Sequence, residues 1–202
     1  GTTDLLESAT GRKGSLLVTA AVSGTYSGVA VGLGAAINEI DNEFNVNISD
    51  STINTNSFTA KALSYTTSID VAAGAAISGA DDEDDTKGGG AGSAAWSDIR
   101  NKAKVTVEHN TITSKDLKFS TLNESLLVGV AGAVSASTGG GLAAAGASLS
   151  YNSIDNSANT KLFDNNIKVK GNNKGDFSVE SENKSNLWGV AIEVGANAEV
   201  SV

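Results

Sequence analysis

An uncharged stretch recurs through this chain, and its side chains alternate strictly between small and branched-aliphatic. The clearest copy is SLLVGVAGAVSASTGGGLAAAGASLSY at 125–151. Leu126, Val128, Val130 and Val134 share one parity; Leu127, Gly129, Ala131, Ala133 and Ser135 share the other. Period-two alternation of this length specifies a β-strand, because successive Cβ atoms point to opposite faces. One face is branched, and the other is so small that it is either flat or closely approached. The pattern returns at 15–38, where Leu16, Val18, Ala20 and Val22 are in phase before the Ser27-Gly28 break and Val29, Val31, Leu33, Ala35 and Ile37 after it. It returns again from Ser68 (Ile69, Val71, Ile77) and from Ser185 (Trp188, Val190, Ile192, Val194, Val200, Val202). The starts at 15, 68, 125 and 185 lie 53, 57 and 60 residues apart. Degenerate repeats of this kind mean stacked units whose length differences are taken up in loops.

A second half-repeat strengthens the register. Ile40-Asp41-Asn42, Ile99-Arg100-Asn101 and Ile154-Asp155-Asn156 align without gaps, followed at fixed offsets by Ile48, Val107 and Leu162 and then by Ile53, Ile112 and Ile167. Between the last two sets lie Asp50-Ser51-Thr52, His109-Asn110-Thr111 and Asp164-Asn165-Asn166, residues that tolerate left-handed backbone in tight turns. A further strand is expected to start at Phe58, Leu117 and Phe177, with a loop insertion in 171–175 of the third copy. Each repeat therefore reads as about five short strands joined by polar turns, in two or three coils. Residues 1–13 read as a partial strand or a loose end. The Ile columns should point inward, and Asn42, Asn101 and Asn156 are expected to form an amide ladder at a bend.

The runs GLGAAINEIDN and ISDSTI (32–42 and 48–53) resemble repeats of large bacterial type V secreted exoproteins, the haemagglutinin-like and leukotoxin-like adhesins. The similarity extends over residues 14–202, with Trp96-Ser-Asp-Ile departing from it in the second copy. It implies an all-β chain folded as a right-handed parallel β-helix, or β-solenoid, and delivery to the outer-membrane surface or the extracellular space. It carries over no functional residues. The expected organisation is a single solenoid fragment over 1–202, with repeats near 15–67, 68–124, 125–184 and a partial 185–202, plus an acidic loop insertion at 80–90. The ending EVSV and the missing leader lead us to expect a piece of a longer chain.

Composition agrees with this reading and narrows the function. The 202 residues contain no proline, which cannot donate to a β ladder. Aromatics are 5% of the chain, so small and β-branched residues must supply the burial. Cysteine is absent, which rules out disulfides and Cys-based metal sites; it suits a protein exported unfolded, though chance absence competes. The net charge of −9 argues against nucleic acid or an anionic membrane as partner. The uncharged stretches at 14–38 and 125–154 are long enough to span a bilayer. Their period-two valines and the Gly139-Gly140-Gly141 triplet argue against a membrane helix, and the lack of aromatic girdles against a membrane barrel.

No catalytic or cofactor-binding residues are identified. The run Asp81, Asp82, Glu83, Asp84 and Asp85 is a weak Ca²⁺ candidate; consecutive carboxylates without a glycine turn fit a solvated insertion better. His109 occupies a turn slot held by Asp50 and Asp164 in the other copies. Trp96 and Tyr151 replace Ile37 as packing residues, and Trp188 is expected to pack near the end of the chain. The column Asp41, Arg100, Asp155 is the best case for an enzyme, but it reads more simply as solvent-facing turn residues. The leading expectation is a structural and adhesive segment that attaches to a host cell-surface protein or glycan, with lateral or end-to-end self-association. The alternatives are the shaft of a secreted cytotoxin and a fragment of a carbohydrate-active enzyme.

Overall fold

The computed structural model describes residues 4–25, 29–79, 88–138, 144–170 and 175–198. Among them every regular element is a strand. The strands are β1 (Asp4–Thr25), β2 (Val29–Ser49), β3 (Thr52–Asn54), β4 (Ser57–Ser78), β5 (Gly88–Glu108), β6 (Thr111–Ser114), β7 (Asp116–Thr138), β8 (Ala144–Phe163), β9 (Asn166–Val169) and β10 (Phe177–Ala198). They form three parallel sheets: β1-β4-β7-β10 (sheet A), β2-β5-β8 (sheet B) and β3-β6-β9 (sheet C). One repeat is one coil of two long strands and one short one. This corrects the expectation of about five short strands in two or three coils. The long strands run 20 to 23 residues, against a usual ~5–6. Residues 4–13 are the first half of β1, paired with β4 throughout.

The strands run on because nothing in them interrupts the alternation. Polar triplets such as Ile40-Asp41-Asn42 look like bends in one dimension, but they lie inside strands, with Asn42 inward and Asp41 outward. Among the described residues, the chain turns sharply near sheet C at the two ends of its short strands. At the first, Asp50, His109 and Asp164 hold φ of 52°, 55° and 50°, the left-handed region that Asp, Asn and His accept best. The next residue stacks: Asn110 accepts from Ser51 N (2.9 Å) and donates to the carbonyls of Glu108 (2.8 Å) and Ile48 (3.0 Å). Asn165 does the same one coil on, through Val107 O at 2.7 Å and Phe163 O at 2.9 Å.

Register confirms the stacking. Ile40, Ile99 and Ile154 form one column and Ile53, Ile112 and Ile167 another, with Ile99 and Ile112 fully buried. Ser15 pairs with Ser68 and Ser125 with Ser185, but Ser125 faces Thr66, so the second and third repeats are offset by two residues. A two-residue offset preserves parity, which is why the faces stay in phase.

The flattened interior has two halves. Next to sheet C, Val46, Phe58, Val105, Val107, Ile112, Leu117 and Phe119 pack as an ordinary core, with the Phe58 and Phe119 rings edge to face at 5.7 Å. In the distal half, away from sheet C and beyond a small cluster of Ile40, Ile99 and Leu127, the interior is mostly alanine, serine and glycine. Ala36, Ala72, Ala95 and Ala131 form one cluster and Ala30, Ala76, Ala91 and Ala133 another. A Cβ built on Gly32 or Gly34 would collide with the carbonyl oxygen of Ala75 or Ala73 in the opposite sheet. Here the backbones of sheets A and B touch, closer than the ~10 Å of ordinary packed sheets.

Candidate binding surface

The consequence of that thin interior lies on the outside. Period-two alternation sends the small residues in, so it must send the branched ones out. Leu16, Val22, Leu33 and Ile37 are 71%, 77%, 70% and 72% exposed, whereas Ala36 and Ala131 are fully buried. On sheet A the outward columns are Leu16–Ile69–Val128–Trp188, Val18–Val71–Val130–Val190 and Val22–Ala75–Val134–Val194. On sheet B the outward residues near the same end include Val29, Val31, Leu33, Leu149 and the row Ile37–Trp96–Tyr151. Trp96, Tyr151 and Trp188 therefore pack on the outer surface rather than in the core, with the Trp96 and Tyr151 rings 4.3 Å apart.

Sheet B is dented. Gly92, Ala94 and Ala147 form the floor of a shallow groove of about 360 Å³, with Leu33 and Leu149 as its banks. The aromatic row lies just along the strands from it. The next rows are ionic: Arg100 donates to Asp98 at 2.9 Å through Nε and pairs with Glu39. The hydrogen bond and charge of Asp98, then the charge of Glu39, raise the Arg100 pKa further and keep the guanidinium protonated. Asp41, Arg100 and Asp155 do stack in register, mid-strand on this outer face rather than at a bend.

Between the halves runs a buried polar belt. Asn42 donates to Asn101 Oδ1 (2.8 Å) and Asn101 to Asn156 Oδ1 (3.0 Å), with Thr66 and Ser125 bonding the same amides from sheet A. This ladder is mid-strand and internal, again not at a bend. Sequence reasoning missed a second polar site nearby. Asp70 is fully buried; its Oδ2 accepts from Ser68 (2.7 Å) and Ser97, and its Oδ1 has no partner. Its inward parity was legible, but the serines opposite it belong to another strand. His109 is exposed at its turn, 3.6 Å from the Asp164 carboxylate.

The acidic candidate, Asp81 to Asp85, lies outside the described residues. Among those described, no cluster of three or more His, Asp or Glu side chains is placed to hold a metal ion, and no helix is long and apolar enough to cross a membrane. The chain matches no family model, no curated protein and no solved structure.

Proposed function

We propose that this chain is a structural and adhesive segment of a surface-exposed or secreted bacterial exoprotein, and that it attaches through the outer face of sheet B. The observation that carries this is the inverted distal half, which leaves an apolar groove beside Trp96 and Tyr151 in open solvent, with the Asp98 and Arg100 rows beyond them. Trp, Tyr and Arg are the residues that carry most binding energy at protein interfaces, and an apolar centre rimmed by polar groups is the usual anatomy of such a site. An apolar side chain, or the apolar face of a sugar, fills the groove, while Asp98 and Arg100, beyond the aromatic row, meet polar groups farther along the ligand. The resemblance to type V exoproteins supports the same reading through delivery route and architecture.

The test is binding of the 202-residue chain to cultured host cells, matrix glycoproteins and a glycan array. The Leu33→Ser/Leu149→Ser variant should keep its β-sheet circular dichroism and lose binding. Binding that persists in that variant, or that never exceeds a charge-matched control, rejects the proposal.

A further inference from the structure

We infer that the outer face of the distal half of sheet A is a self-association surface, on which a second copy of this chain lies face to face. The inference is independent of the adhesive reading, because it uses the opposite sheet.

The first argument is continuity. Across sheet A, four strands present the unbroken column Val18–Val71–Val130–Val190. The column Leu16–Ile69–Val128–Trp188 adjoins it on one side; on the other, Ala20, Ala73, Gly132 and Ile192 lie between it and the Val22–Val194 column, with no ionised side chain among them. Sheet B has no two adjacent columns of large apolar residues, because Gly90, Gly92 and Ala94 interrupt its ridges.

The second is area. Four strands at ~4.8 Å and the seven residues from Leu16 to Val22 at ~3.3 Å give a facet of roughly 19 by 23 Å. A pair of copies then buries roughly 900 Å² in plan, and the corrugation of the side chains brings this to the ~1,000 Å² expected of a specific interface.

The third is shape. Side chains two residues apart make ridges of equal pitch on every strand, and β-branched residues hold few rotamers. A two-fold axis normal to the facet's long direction sets the same ridges against the same grooves, as identical strands do in dry sheet-on-sheet interfaces. A lipid surface needs no such order, and a chain of net charge −9 is repelled by an anionic one. A copy is also the one partner certain to carry the matching pitch.

The experiment is sedimentation velocity of the full 202-residue chain across micromolar concentrations, with variants at the centre of the facet. The parent should show a concentration-dependent monomer–dimer equilibrium. Val71→Lys/Val130→Lys should raise the dimer dissociation constant ~100-fold or more, since it sets like charges against each other in an apolar contact.

A second variant guards against misfolding. The chain has no cysteine, so Val130→Cys introduces one nearly isosteric thiol at the facet centre. Mild oxidation should give a covalent dimer, as disulfides bridge packed sheets elsewhere. Lys118→Cys, on the polar half of the same strand, should stay monomeric. A chain that is monomeric at every concentration overturns the inference. So does a dimer indifferent to the lysine pair, or cross-linking that is equal from both cysteines. A monomer that instead floats with neutral phosphatidylcholine vesicles, and stops doing so in the lysine variant, makes lipid the occupant and overturns it as well.

Discussion

The two halves of this solenoid share the same strands, the same register and the same closed coil, yet bury opposite kinds of side chain. Next to sheet C, aromatic and branched residues point in, and Lys61, Lys118 and Glu180 point out. Farther along the same strands alanine and glycine point in, and valine, leucine and tryptophan point out. Parity is never broken between them. Only the chemistry assigned to each parity changes, just beyond the Ile40–Ile99–Leu127 cluster on the distal side of the Asn42–Asn101–Asn156 ladder. Coil closure by backbone hydrogen bonds therefore sets the fold in both halves. Side-chain volume sets only the spacing of the sheets, and that leaves the distal half free to present apolar surface.

If the halves differ as described, deletion should hurt one and enlargement the other. The largest effect belongs to Phe119→Ala, because its ring fills the wide core beside Phe58 and Phe177. The cavity should cost about 3–5 kcal/mol in chemical denaturation. At the boundary, Asn101→Ala removes the middle rung and leaves Asn42, Thr66 and Ser125 without their buried partner. A loss of about 2–3 kcal/mol is expected, measured in the same way. If the variant is as stable as the parent, the belt is not holding the halves together.

Enlargement sharpens the contrast in the thin half. Ala131→Leu adds volume where backbones already touch, and should cost about 1–3 kcal/mol, though it makes the segment more apolar. A stabilising outcome would show that the sheets can separate and that the thin interior is not rigid. The smallest change is Val71→Thr on the outer face, which should leave stability of the isolated chain within ~0.5 kcal/mol. A loss as large as that at Ala131 would mean the outer face is covered in solution even in the monomer.

The repeat itself made much of this legible. Parallel in-register stacking brings each sequence position back one coil later, so the columns Ile40–Ile99–Ile154 and Ile53–Ile112–Ile167 could be read from spacing. The close meeting of sheets across Ala131 and Ala133 was legible too, since a face without bulk has nothing to hold an opposing backbone away. The left-handed turn at Asp50, His109 and Asp164 was marked by residue type. Polar residues inside long strands were the false signal. Asn42, Asp41 and Arg100 resemble bend residues until a second sheet supplies Thr66 and Ser125 to receive the amides.

Alternation by itself determined that there are two faces and where they are in phase, and residue type marked the turn at Asp50, His109 and Asp164. A period of two is symmetric and has no inward direction of its own; the lack of bulk on one face pointed to the inside, but only contact between sheets could make it so. Tertiary structure decided that. Coil geometry brings sheets A and B into contact, and where they touch only residues without bulk fit between the backbones, so the branched side chains are left outside. The sheet B groove has the same origin. Leu33, Gly92 and Leu149 belong to three different coils, and their shape exists only once neighbouring strands lie side by side.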